Sequence, residues 1–161
     1  MTDAANYIKW IIRGFNEGGL TAYMLHLFYG EAEERGYSSL VAWTPSGEII
    51  LPKRYYSLKH FANIVKPGYL RISADLSEAN MFVVAFKSPN EDKVVLQIFN
   101  QGIEQNLSID VIPGSKSIQH IITSDTEGED FISKNNYSSD KDYFNLSVPS
   151  MSMNSIIFNL N

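Results

Sequence analysis

KRYYSLKHFANIVKPGYLRISA, residues Lys53–Ala74, is the stretch whose reading decides the fold. Tyr55, Leu58, Ala62 and Val65 recur at helical spacing, and Pro52 just ahead of them suits a helix start. Lys66 sits where a cation favours the negative end of the helix dipole. Pro67 cannot continue the helix, and Gly68 frees the chain to turn. From Tyr69 onward the periodicity switches to that of strands.

That switch is permanent. YLRIS, MFVVAFKS, KVVLQIFN, LSIDVIP, SIQHIITS, YFNLSV and NSIIFNL are short, rich in β-branched and aromatic residues, and separated by turn signals such as Ser88-Pro89-Asn90-Glu91-Asp92 and Pro113-Gly114-Ser115. About seven strands at this spacing predict a mainly β fold, an antiparallel β-sandwich over residues 67–161. The polar, acidic segment 125–142 reads as a long loop.

Residues 1–66 follow a different grammar. Ile8, Ile11, Ile12 and Phe15 form a helical stripe within 2–16, and Gly18-Gly19 stops it. LTAYMLHLFYG, residues 20–30, is apolar with little alternation. It reads as a strand buried on both faces, as in parallel sheets, with a helix as the competing assignment. GEAEERGYSS is a polar loop, and LVAWTPSGEIILP a short hairpin around Thr44-Pro45-Ser46-Gly47. One buried strand with two helices is not a sheet, because its backbone groups lack partners. The sandwich is therefore preceded by a helix–strand–hairpin–helix piece of something larger.

Composition narrows the function. Of 161 residues, 44% are hydrophobic and 19% charged, enough for a sizeable core. The net charge is −5 and the thirteen Lys and Arg are scattered, so no footprint for nucleic acid or anionic membrane is present. The absence of cysteine removes disulfides, thiolate zinc sites and Cys nucleophiles together. No run of eighteen apolar residues and no secretory leader occurs within the chain, and the compartment stays open. There is no phosphate-cradling Gly-rich loop and no G-x-S-x-G. His26, His60 and His120 lack metal-ligand spacing. Asp125, Glu127, Glu129 and Asp130 are oxygen donors of the type Ca²⁺ takes, but their spacing is not that of an EF-hand, and they read as a solvated acidic loop. No cofactor and no metal are expected. The three Asn-x-Ser/Thr sequons at Asn106, Asn136 and Asn145 matter only in a eukaryotic secreted protein.

SLKHFANIVKPGYLRI resembles the joint in glycoside hydrolase family 30, where the last barrel helix ends in a Pro-Gly segment and enters a C-terminal β-sandwich. IIRGFNEGGLTAYMLHLFYG is similar to that family's seventh helix and eighth barrel strand, and VPSMSMNSIIFNL to its closing strand. The resemblance implies a (β/α)8 barrel flanked by a sandwich, and retaining hydrolysis of β-linked glycosides by two glutamates. Retention needs carboxyl groups about 5–5.5 Å apart. The resemblance places both glutamates upstream of Met1. A whole barrel takes on the order of 250 residues, so residues 1–66 are expected to supply only its last part, and the isolated chain is expected to be inactive. The parent enzyme is expected to be secreted.

No catalytic residue is therefore assigned. Glu17 in NEGG reads as a solvated helix-end residue, and Glu31, Glu33 and Glu34 as a charge cluster at the face where barrel sites open. Tyr23, His26, Tyr29, Arg35 and Tyr37 are the substrate-contact candidates within an intact barrel. Family members often carry a Trp near the end of strand eight, and here His26 stands in that neighbourhood. A carbohydrate-binding module is the alternative, with Tyr69, Phe82, Phe86, Phe99, Tyr137, Tyr143 and Phe144 as candidates for its aromatic row, although inward alternation assigns most of them to the core. A third expectation is a homo-oligomer or domain-swapped dimer through the apolar strand 20–29, or complementation by the missing barrel part supplied as another chain.

Overall fold

The computed structural model describes residues 1–26, 28–31 and 39–160. In chain order the elements are α1 (Thr2–Asn16), β1 (Tyr29–Glu31), β2 (Val41–Trp43), β3 (Ile49–Ile50), α2 (Lys53–Ile64), β4 (Leu70–Ile72), β5 (Met81–Lys87), β6 (Lys93–Asn100), β7 (Gln105–Asp110), β8 (Ser117–Ser124), β9 (Asp130–Tyr137), β10 (Tyr143–Val148) and β11 (Ser152–Asn159). β-Structure dominates, and it is antiparallel except where β1 runs parallel to β2.

The heart of the molecule is a six-stranded sheet in the order β4-β5-β6-β11-β8-β9. Side chains alternate across it, so each strand feeds two cores. Val84, Phe86, Phe99 and Met153 meet Ile8, Ile11 and Ile12 of α1 and Phe61 of α2 on one face. Val94, Ile98, Ile118, Ile156 and Phe158 meet Leu107 and Ile109 of β7 and Phe144 and Leu146 of β10 on the other. The second layer of the sandwich is thus the two-stranded pair β10-β7. Double coverage explains why β11 is buried on both faces over 152–158.

α1 has the bounds read from its stripe, and Ile8, Ile11 and Ile12 are at most 1% exposed. Leu20 folds back so tightly over Gly14 that a β-carbon there would collide with its side chain. α2 also lies where expected, but it presents a different face. Ser57, His60 and Phe61 are its buried residues, while Ala62 is exposed. The helix is only weakly amphipathic because the sheet beneath it is itself polar, at Gln97, Thr123 and Ser155. The Pro67-Gly68 joint is a turn with Gly68 at φ +89°, a conformation L side chains avoid.

Two expectations need correction. The strand across residues 20–29 is not formed: 20–26 carry no strand, and β1 begins only at Tyr29. Met24 is 93% exposed, and Tyr23 and Leu25 instead lean on the α1 core. Apolar composition was satisfied by packing against a helix rather than by a sheet, and the strand edge invoked for a swapped dimer is absent from 20–26. Second, the segment 125–142 contains β9, paired with β8. Its sequence DFISKNNY is polar because it is an edge strand, and its alternation is scrambled by register shifts and by Phe131 at φ +60°. The aromatic row is mostly core, as the inward alternation of the strands requires. Phe86, Phe99 and Phe144 are buried, Phe82 stacks on Phe99, and Tyr137 stacks on Phe144. Of the seven only Tyr143 is largely exposed. No helix is long and apolar enough to cross a membrane among the described residues.

Candidate functional site

The hairpin closes as expected. Gly47 takes φ +85°, its N–H donates to Thr44 O, and Thr44 N–H donates to Glu48 O. It thereby sets β2 beside β1, with Tyr29 opposite Val41 and Glu31 opposite Trp43. The Tyr29 and Trp43 rings lie 5.4 Å apart and tilted by 37°. Tyr29 is 63% exposed. An exposed Tyr beside a Trp, with the half-buried Glu31 on the same short strand, combines a flat aromatic face with a carboxylate acceptor. Trp43 escaped sequence reasoning because it comes from the hairpin, not from the strand where a tryptophan was sought. The parallel register of β1 and β2 is the signal that finds it.

The other candidates scatter. Tyr23 meets Tyr7 edge-on at 5.6 Å, so it belongs to the α1 core and not to the Tyr29 surface. His26 is exposed. Arg35 and Tyr37, like Glu33 and Glu34, lie outside the described residues. Glu17 accepts from Arg13 Nε and Nη2, and that pairing holds its carboxyl below the usual range. Three members of the acidic segment are likewise partnered: Asp125 takes the Met1 ammonium, Asp130 takes Lys53 at 2.6 Å, and Glu129 takes Lys134 and the Ser124 hydroxyl. Among the described residues no cluster of three or more His, Asp and Glu is arranged to hold a metal.

One constellation looks catalytic and is not. His60 Nδ1 lies 2.6 Å from Ser155 Oγ, and His60 Nε2 lies 3.0 Å from Thr123 Oγ1. The proton directions follow from the neighbours. The Ser155 hydroxyl donates to Gln97 Oε1 at 2.7 Å, so it must accept from His60 Nδ1–H. Nε2 then accepts from the Thr123 hydroxyl, whose oxygen also receives Phe131 N–H at 2.9 Å. Gln97 Nε2 closes the loop on His60 O at 2.9 Å. Every group is satisfied only with neutral His60. All four side chains are 0% exposed, so no substrate reaches Ser155, and its proton points away from the imidazole. Burial, then the nearby His120 and Lys59, push the His60 pKa down to about 3. Burial also lowers the pKa of His120, whose Nε2 lies 2.9 Å from Asn154 Oδ1 and links β8 to β11 within the sheet. The His60 bonds tie α2 to the sheet.

No family profile matches the chain. Glucuronoxylanase XynC of Bacillus subtilis (strain 168) is 31% identical over 109 residues, covering 65% of this chain and 23% of that protein. The chain thus spans about a quarter of the length of this curated relative. The catalytic domain of GH30 xylanase C from Talaromyces cellulolyticus superposes with a TM-score of 0.78 at 19% identity, over 97% of this chain and 35% of that one. The likeness to the C-terminal portion of a family 30 glycoside hydrolase stands. The fold extends beyond that family: an arabinose-bound MgGH51 α-L-arabinofuranosidase matches with a TM-score of 0.73 at 15% identity, over 98% of this chain and 27% of that one.

Proposed function

We propose that this chain is the C-terminal portion of a retaining β-glycosidase of the family 30 kind. Residues 1–66 contribute the end of a (β/α)8 barrel, and residues 67–161 form a sandwich that braces it. On its own the chain holds no complete catalytic site, and both glutamates come from elsewhere in the enzyme. Its substrate is a β-linked glycan, with xylan first, since xylanases stand among its relatives. The Tyr29–Trp43 surface contacts the glycan, with Arg35 and Tyr37 retained as further candidates.

The observation that carries this is the uneven distribution of apolar surface. Seven of the ten exposed large hydrophobics among the described residues lie within residues 1–51, namely Trp10, Leu20, Met24, Phe28, Tyr29, Ile49 and Leu51, and all but Tyr29, which is kept for the glycan, are left for other cover. A surface of that kind is suited to being covered by other protein. The barrel supplies that cover here, in place of a second copy exchanging strands.

A chimera tests it. The part of the Bacillus subtilis glucuronoxylanase preceding its matching region is joined to residues 1–161 and assayed on glucuronoxylan. Turnover is expected from the chimera and not from residues 1–161 alone. A folded but inactive chimera overturns the proposal. So does activity of the isolated chain that survives repurification and is lost in Glu31→Gln.

A further inference from the structure

His120 of β8 carries an unpaired polar atom inside the sandwich. The residue is 3% exposed, and its Nδ1 has no hydrogen-bond partner, where a buried polar group normally has one. The other ring nitrogen fixes what this one offers. Asn154 Nδ2 donates to Ser152 Oγ at 2.8 Å, so Asn154 Oδ1 is the atom turned to His120, and it accepts from Nε2–H at 2.9 Å. Nδ1 is left with a lone pair. Burial holds the His120 pKa below the ordinary histidine value of about 6.5, so at pH 8 that lone pair carries no proton.

His120 lines a cavity of about 190 Å³, together with Glu129, Lys134, Asn135, Tyr137 and Ser147. A bulge in β9 builds it. Gln119 pairs with Asn136 and Ile121 with Ser133, so Lys134 and Asn135 both stand opposite His120 alone. Lys134 Nζ holds Glu129, which cancels the charge of the pair and leaves ammonium protons for another acceptor. Ser147 comes from β10, in the other layer of the sandwich. Its hydroxyl donates to Glu104 Oε1 at 2.6 Å, which leaves its oxygen able to accept. The cavity thus offers acceptors at His120 and Ser147, donors at Lys134, and no net charge.

These groups select the ligand. An inorganic anion brings no proton for Nδ1 and meets the Glu129 carboxylate. A metal ion finds no cluster of three His, Asp or Glu among the described residues. The space corresponds to about six waters and falls below the ~300 Å³ of drug-sized sites, so it holds one small ring. We propose that this pocket binds one neutral pyranose unit, with one hydroxyl donating to His120 Nδ1 and a neighbouring hydroxyl oxygen accepting from Lys134 Nζ. The pocket shares no residue with the Tyr29–Trp43 surface and does not depend on a barrel.

The test titrates the whole chain at pH 8 with D-xylose, D-glucose, D-glucuronate and xylotriose, read by nitrogen NMR of the histidine rings and backbone amides. Xylose or glucose is expected to move His120 Nδ1 upfield, as a lone pair gaining a hydrogen bond does, and to shift the Lys134 and Asn135 amides. His60, sealed in its own network, stays unchanged. Glucuronate binds no more tightly than glucose. His120→Gln keeps an N–H for Asn154 but lacks the Nδ1 acceptor, and is expected to weaken xylose binding at least about tenfold. Lys134→Ala, at a partly exposed position, weakens it by about the same factor and serves where His120→Gln does not fold. Binding of xylotriose along with xylose assigns the site to the end of a glycan, and binding of xylose alone to a free sugar; both support the proposal. Three results overturn it. The first is no response to xylose or glucose at tens of millimolar, and the second is unchanged affinity in the folded variants. The third is tighter binding of glucuronate than of glucose.

Discussion

Acid will loosen the joint between α2 and the sheet before it reaches the carboxylates. His60 is neutral in the folded chain with a pKa of about 3, and an unfolded histidine titrates near 6.5. Between those values the unfolded state holds a proton that the folded state does not. Stability therefore falls as pH drops from about 6.5 toward 3, and is flat above that window. One pKa unit corresponds to about 1.4 kcal/mol, so this group alone removes about 3 kcal/mol between pH 7 and pH 4. That is a large part of the ~5–15 kcal/mol that holds a domain together. The hydrogen-bond directions give the reason. A proton on Nε2 would face the Thr123 hydroxyl, whose oxygen already receives Phe131 N–H and whose own proton points at that nitrogen. Denaturant unfolding followed by circular dichroism from pH 8 to pH 4 measures the slope in the wild type and in His60→Gln. The variant is expected to lose about 2–4 kcal/mol at pH 8, having given up its bonds to Ser155 and Thr123 and its edge contact with Phe131. It is also expected to lose most of the slope. An unchanged slope, or a His60 ring proton titrating near pH 6.5 in the native state, refutes the reasoning.

Other positions give simpler readouts. Gly68→Ala forces a side chain into φ +89° with Pro89 Cγ only 3.2 Å from the new carbon, and is expected to cost about 1–3 kcal/mol by chemical denaturation. Phe158→Ala empties a 0%-exposed site between the two sandwich layers and should cost about 3–5 kcal/mol. Trp43→Ala should change the stability of the chain little, yet reduce xylan retention in affinity electrophoresis of the active chimera. Retention equal to wild type would remove the Tyr29–Trp43 surface from the glycan site.

What could be read in the sequence was whatever the local pattern alone determines. The stripe of Ile8, Ile11 and Ile12 gave α1 its bounds, and Pro67-Gly68 and Thr44–Gly47 gave the turns, because glycine and proline act on the nearest dihedrals. The strands with strong β-branched runs were legible for the same reason. β9 was not, since an edge strand with one solvated face and a bulge has no period to detect. Residues 20–26 misled because apolar composition says that a segment is covered, not by what. Tyr23 found Tyr7 rather than a neighbouring strand. The polar face of α2 was invisible because His60 is held by Gln97, Thr123 and Ser155, which lie 37 to 95 residues further on, and Ser57 bonds back to Met1. Trp43 joined Tyr29 through a parallel register that no local pattern encodes.

The same physics bears on where the chain divides. Pro67-Gly68 looks like a boundary between a barrel piece and a sandwich, yet packing ignores it. Val84, Phe86, Phe99 and Met153 of the sandwich are at most 3% exposed, and the cover on their face is α1 and α2. Removing residues 1–66 returns four large side chains to water at about 1.5–3 kcal/mol each, on the order of 6–12 kcal/mol in total. It also strips His60 from Gln97, Thr123 and Ser155. A loss of that size equals the whole stability of an ordinary domain. Residues 67–161 expressed alone are therefore expected to show no cooperative thermal transition and poor dispersion in proton–nitrogen spectra, while residues 1–161 show both a transition and good dispersion. A cooperative melt of 67–161 within a few degrees of the longer chain would mean that the helices ride on a finished sandwich. If the helices instead complete the core, α1 and α2 serve the barrel end and the sandwich at once, and Pro67-Gly68 marks a turn between two parts that do not fold separately.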